Sequence, residues 1–338
     1  MTSIPGDAAD VDAASPEGRR SRTGRDDSLR SRGRPGPTPA DRGDRARRVR
    51  RRRQAVPAYA MLTPSLIGVF VFLLVPVVAV FVLSLMKWDL ISPARWVGLD
   101  NFVAVLTSER FLNSAWVSVA FALLTIPFTV GLGLLLAVGL NRRLPGSSLL
   151  RIVYVLPWVC APLTLGIVWK WIFDPTNGAL NAMLGRRIEW LTDLSLAMPS
   201  VAFVQVWSTV GYVSLFYLAG LQQIPVAVTE AARLDGAGPA RMLRSITLPL
   251  LNPTTFFVTV TSVIASFQVF DLIYALTRGG PGIPGRTDVI AARIYDEAFV
   301  SLRFGRAAAM AVILFVVLVV ITFLQQRFFR SRLTYDLS

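Results

Sequence analysis

Six stretches longer than 17 residues carry no charged side chain: Gln54–Met86, Phe111–Asn141, Ile152–Trp169, Leu194–Thr229, Ser245–Phe270 and Ala307–Gln326. A helix needs about 20 apolar residues to cross a bilayer's hydrocarbon core. The densest apolar segments therefore predict spans near 62–86, 116–140, 152–173, 198–221, 254–276 and 307–325. Backbone polar groups in lipid must be paired within the segment or in a closed barrel. Barrel strands alternate apolar and polar residues, and these runs do not. The pattern predicts an all-α integral membrane protein of six transmembrane helices. The first span is expected to stay in place rather than be cleaved as a signal peptide, because it is long and lies behind a basic stretch.

Residues 1–56 read differently. They hold 15 of the chain's 35 basic residues and 8 of its 21 acids, with no aromatic side chain. Rich in Arg, Ser, Gly, Pro and Asp, they have little to bury and are expected to be disordered. Arg45, Arg47, Arg48, Arg50, Arg51, Arg52 and Arg53 abut the first span and predict a cytoplasmic N-terminus. Their expected role is a topology anchor on anionic lipid headgroups; nucleic-acid binding is the less favoured reading. Six spans then place both termini inside. The short connections argue no further: beyond the tail, 9 basic residues fall on the inner side and 11 on the outer.

Composition narrows the chemistry. Hydrophobic residues make up 53% of the 338, and the mean hydropathy is +0.53. No His is present, which excludes His-based acid–base catalysis, Ser-His triads and His-ligated metals. The single Cys160 excludes internal disulfides and Cys-rich metal sites. Neither Lys87 nor Lys170 follows a Gly, so the chain has no Walker A phosphate loop. No cofactor or catalytic residue is expected, and any ATP used must be hydrolysed by another chain.

Residues 222–253, between the fourth and fifth spans, form a patterned cytoplasmic loop. Pro225 can open a helix. Val226–Asp235 is predicted to form it, with Glu230 toward the positive end of the dipole. Gly236 ends it, because Gly tolerates the left-handed conformation. Pro239 starts a second helix through about Thr247, and Leu248-Pro249 is expected to break it. Small residues at Ala231, Ala232 and Ala240, beside Leu234, Met242 and Ile246, give the shape of a knob for a partner's groove.

Glu230-Ala231-Ala232, Asp235-Gly236-Ala237 and Ile246-Thr247-Leu248-Pro249 resemble the "EAA" coupling loop of binding-protein-dependent ABC importer permeases. The flanking residues resemble the carbohydrate-importer branch, which includes maltose and glycerol-3-phosphate permeases. These are Leu221-Gln222 with Ile224-Pro225, Asp174-Pro175 with Gly178 and Asn181, Leu276-Thr277-Arg278-Gly279-Gly280-Pro281, Ile294-Tyr295, Ala298-Phe299, and Gly305 with Ala309. The resemblance covers roughly residues 58–333, and the importer transmembrane domain is assigned to 57–333.

The resemblance implies a permease subunit of an ATP-driven importer in a bacterial inner membrane. It would form half of the pathway for a sugar or sugar-like solute. Its implied partners are a second permease, two ATP-binding cassette subunits, an extracytoplasmic solute-binding protein and membrane lipid. Carried over by motif, Glu230, Ala231, Ala232, Asp235, Gly236, Leu248 and Pro249 would couple to the ATPase. Glu230 would be the acidic contact, and Asp235-Gly236 the turn.

Polar residues inside spans usually face a cavity or another helix. Gln205, Ser208 or Thr209, and Tyr212 fall on one helical face. Thr259, Ser262 and Ser266 share a face of the fifth span, and Thr261 and Gln268 share another. Anchored on the coupling loop and the Gly-Gly-Pro segment, Tyr212, Ser262 and Ser266 fall where the maltose-permease relative contacts sugar. With Gln268 they are the substrate-path candidates; helix–helix hydrogen bonding is the competing role. Asp271, the one acid inside a predicted span, supports the alternative of an autonomous proton-coupled carrier.

Overall fold

The computed structural model describes Pro57 and residues 59–141, 146–277, 283 and 286–330. The Arg-rich tail and the Gly279-Gly280-Pro281 segment lie outside them. The chain divides into two units at Leu66. The described part of the first is the opening of a helix, where the Thr63 hydroxyl donates to the Tyr59 carbonyl at 2.6 Å.

Helix α1 is Tyr59–Ser84. A two-stranded antiparallel hairpin follows, β1 (Met86–Lys87) with β2 (Arg95–Trp96). Next come α2 (Asp100–Leu106), α3 (Glu109–Leu140), α4 (Ser147–Val159), α5 (Pro162–Ile172), α6 (Ala179–Leu184) and α7 (Ala197–Gln222). The coupling-loop region holds α8 (Val226–Leu234) and α9 (Pro239–Leu250). The chain closes with α10 (Asn252–Phe267), α11 (Asp271–Leu276), α12 (Ile290–Tyr295) and α13 (Phe304–Arg330). Among the described residues, α1, α3, α7 and α13 are long and apolar enough to cross a membrane alone. The bent pairs α4–α5 and α9–α10 bring the number to six.

Helix α3 is the central post. Its long contact with α7 organises the bundle, and α10 and α12 pack on its remaining faces. One buried cluster joins Val117 and Phe121 of α3 to Val201 and Val204 of α7 and to Leu272, Ile273 and Leu276 of α11. A second joins Phe111 and Ala122 to Val263 and Phe267 of α10 and to Ala309, Met310 and Leu314 of α13. A third, at the α8–α9 end, holds Ala137, Leu140, Tyr217, Leu221, Leu251 and Val258. The outward faces of α1 and α13 stay exposed and apolar, as lipid-facing helices require.

Three expectations are corrected. The third predicted span, 152–173, is not one unbroken helix: α4 and α5 meet at 96°. Pro162 removes an N–H and forces the residue before it out of the helical region, and Ala161 accordingly sits at φ −59°, ψ 129°. The fifth span does not run unbroken to 276. Helix α10 stops at Phe267, and α11 starts afresh at Asp271. No Gly or Pro signals this break; burying Leu272, Ile273, Ala275 and Leu276 in the core redirects the chain there. Pro249 does not end the second coupling-loop helix either. A π-helical turn at Leu243–Thr247 precedes it, and α9 continues to Leu250. The wider turn relieves the clash a proline ring makes with the carbonyl one turn back. The break falls at Leu251, which has no exposed surface.

Candidate coupling and translocation sites

Pro225 is extended (φ −59°, ψ 134°) and α8 begins directly after it. Glu230 is its fifth residue, beyond the first turn, so the dipole contributes less than its predicted position implied. The helix closes with a paired C-terminal motif. Ala237 N–H donates to the Ala232 carbonyl at 2.9 Å, and Gly236 N–H donates to the Arg233 carbonyl at 3.0 Å. This pairing requires a left-handed residue at the turn, and Gly236 has φ +75°. Ala232 is buried, while Glu230, Ala231, Asp235 and Gly236 are exposed and Leu234 is 89% exposed. One side of α8 thus seals onto the bundle, and the other projects an acid and a large apolar side chain. Leu248 is half-buried and Pro249 exposed, on the far arm of the knob.

The knob is joined to the bundle at both ends. Helix α7 connects through Gln223, Ile224 and the extended Pro225 to α8, and α9 meets α10 at 71° across the buried Leu251. Leu251 N–H donates to Thr247, and its carbonyl accepts from Thr255 at 2.8 Å, so the corner keeps hydrogen bonds on both sides.

Helices α7 and α10 also line a cavity of about 90 Å³ with α3 and α4. Tyr212, Ser262 and Ser266 open onto it together with Thr125, Thr129, Trp158, Gln205, Thr209 and Thr261. Its lining contains no charged side chain. Trp158 stacks on Tyr212, with ring centroids 4.1 Å apart and planes 8° from parallel. Ser266 and Thr125 share a hydrogen bond of 3.1 Å between hydroxyls. The polar face Gln205, Thr209, Tyr212 is thus gathered as its spacing indicates, while Ser208 lies outside the lining; the hydroxyls of Ser208 and Thr209 both donate to the Gln205 carbonyl, at 2.9 and 2.7 Å. Gln268 is outside the lining: it caps α10 at the break and is exposed. Trp158 and Thr125 were not among the candidates. Their apolar or isolated settings in the sequence give no signal, and only the bend at Cys160 and the packing of α3 bring them to the site. Asp271, exposed in the first turn of α11, lies outside any unbroken span.

Beyond the end of α11, a buried ion cluster ties the loop to α3. Arg293 pairs with Asp288, and with Asp296 at 3.2 Å. Ile290 N–H donates to the Ser118 hydroxyl at 2.9 Å. Burial pushes the Asp288 carboxyl above its usual range, against the opposing pull of Arg293.

Residues 102–335 match the family model described as binding-protein-dependent transport system inner membrane component. The chain belongs to this family. It is 38% identical over 282 residues to the sn-glycerol-3-phosphate transport system permease protein UgpA of Agrobacterium fabrum, covering 82% of this chain and 96% of that one. It is 33% identical over 285 residues to the trehalose/maltose transport system permease protein MalF of Thermococcus litoralis, covering 83% and 96%. Among solved structures it resembles a chain of a bacterial ABC transporter involved in the import of the acidic polysaccharide alginate. That match has a TM-score of 0.73 at 26% identity and covers 84% of this chain and 99% of the other. The same bacterial transporter type is also known in complex with an alginate pentasaccharide-bound periplasmic protein, with a TM-score of 0.72 at 25% identity. As a member of this permease family, the chain is a multi-pass inner-membrane component of an importer, and a proton-coupled carrier built on Asp271 is not favoured.

Proposed function

We propose that this permease forms half of the translocation path of an ATP-driven importer for a neutral sugar. Its partners are a second permease, two ATPase subunits and an extracytoplasmic binding protein. The observation that carries the reading is connectivity: the two helices that flank the knob, α7 and α10, are two of those that line the cavity. Force on α8 therefore reaches the solute path through a covalent corner. The ATPase supplies that force, and this chain catalyses nothing. Glu230 is the acidic contact and Leu234 the apolar anchor. Gly236 sets the turn between the arms, and both termini face the cytoplasm.

Hydroxyls, amide and stacked rings suit a sugar. The relatives named above handle a glycerol phosphate, disaccharides and an acidic polysaccharide. A cavity lined without charge favours the uncharged member of that set, since a buried anion needs a partner charge.

The test is uptake by the assembled transporter in proteoliposomes. Glu230→Lys should weaken ATPase retention at least ten-fold and abolish uptake, because a reversed charge faces the docking cleft. Tyr212→Leu should leave binding-protein-stimulated ATP hydrolysis near wild type and reduce sugar uptake about ten-fold, consistent with losing a stacked ring worth about 0.5–1.5 kcal/mol. Normal uptake by both variants rejects the assignment. Transport of glycerol phosphate in preference to neutral sugars rejects the solute class alone.

A further inference from the structure

The sequence holds an excess of basic residues on the side assigned to the outside, 11 against 9 beyond the tail, opposite to the usual bias. The fold gathers four of them. Lys87 and Arg95 of the hairpin meet Arg303 and Arg306 at the start of α13 around a pocket of about 920 Å³. The wall is built rather than loose. Phe304 N–H donates to the Trp88 carbonyl at 3.1 Å, closing the hairpin onto α13. The buried Asn101 side-chain amide donates to the Ser84 and Met86 carbonyls, each at 2.9 Å, fixing the exit from α1.

Two acids share the lining, Asp89 and Asp100. Asp89 is engaged by its own loop, accepting from the N–H groups of Ile91 and Ser92 and from the Ser92 hydroxyl. Arg303 is paired with Glu297 at 3.3 Å. Among the described residues, Lys87, Arg95 and Arg306 have no ion pair. With Arg303 committed to Glu297, the lining sets three cations without an ion pair against the carboxylates of Asp89 and Asp100, and so stays net positive.

Depth identifies what they meet. Lys87 lies three residues past the end of α1, and Arg303 directly precedes α13. The two helices run side by side, with Phe81 and Phe315 in edge contact at 6.0 Å. Both sets of cations thus sit within about 10 Å of where the apolar helices end. The polar headgroup layer is about 5–7 Å thick on each face. The rim is amphipathic: Trp96 is 65% exposed and Ile91 83% exposed, and Trp88 lines the pocket beneath them. Tryptophans at the interface beside cations and an uninterrupted lipid-facing helix are what a lipid, rather than a soluble protein, would meet.

We infer that this pocket binds the phosphate headgroup of an anionic phospholipid in the outer leaflet, held by Lys87, Arg95 and Arg306 while its acyl chains lie along α1. The inference rests on the orientation given under the proposed function. Its test is native mass spectrometry of the assembled transporter titrated with phosphatidylglycerol against a phosphatidylcholine background. Wild type should retain one more phosphatidylglycerol per copy than K87Q/R95Q/R306Q, whose apparent affinity should fall at least ten-fold at an unchanged melting temperature. R186Q/R187Q, which removes two outer-loop arginines away from the pocket, should bind as wild type. Equal retention by the triple variant, or equal loss in the control, overturns the site. So does displacement of the lipid by inorganic phosphate, or a triple variant that keeps its lipid but no longer docks a binding protein. Orientation is read separately, with Ala94→Cys in a Cys160→Ser background. Labelling by an impermeant maleimide from outside supports the leaflet; labelling only from the cytoplasmic side overturns it whatever the lipid count.

Discussion

At the scale of single residues, the sharpest requirement is Gly236. Its φ of +75° lies in the region L side chains avoid. Nothing lies within 4 Å of where a Cβ would sit, so a substitution is opposed by backbone strain alone. Gly236→Ala should therefore cost about 1 kcal/mol at the end of α8. It should appear as faster hydrogen exchange in residues 232–237, with the rest of the bundle protected as before; unchanged exchange there would contradict the turn. This residue was legible in advance, because Asp-Gly after a short amphipathic run has one economical conformation. The cavity was half legible. Tyr212, Ser262 and Ser266 are polar in apolar runs and stand out. Trp158 is an aromatic among aromatics, and Gln268 is polar for a different reason, as the last residue before the chain turns.

At the scale of elements, prolines explain more than apolar length does. In both α1 and α9 a π-helical turn ends just before the residue that precedes proline. Val75 donates to Phe70 before Pro76, and Leu248 donates to Leu243 before Pro249. Each of these two helices continues through its proline with a widened turn, Pro127 and Pro157 sit inside helices that run on without one, and at Pro162 the chain breaks. Periodicity alone does not separate these outcomes, so α9 was expected to stop too early and α4–α5 to continue. Helix contact depends on small residues as well. A Cβ on Gly211 of α7 would lie 1.7 Å from the Tyr154 carbonyl of α4. Gly211→Ala must push the two helices apart, carrying Trp158 off Tyr212. We expect about 3 kcal/mol of destabilisation, measured as a lower melting temperature in detergent, together with a loss of uptake. A fully stable variant would mean that α4 and α7 pack more loosely than described.

At the scale of the whole molecule, six apolar runs specify the architecture because lipid leaves the backbone few alternatives. The force path does not follow from those runs. It depends on Leu251 being buried at a corner and on α7 and α10 reaching both the knob and the cavity. These are consequences of packing against α3 that no local pattern encodes. The central claim is that the exposed face of α8 is where an external motor acts. It is tested most directly by placing a cysteine at Leu234 in a Cys160→Ser background and cross-linking the assembled transporter. The account predicts a disulfide or short cross-link to the ATPase subunit, formed on the cytoplasmic side and stopping ATP-driven uptake. A Leu234→Cys residue that reacts only from outside, or that cross-links to no ATPase while uptake proceeds, would contradict it.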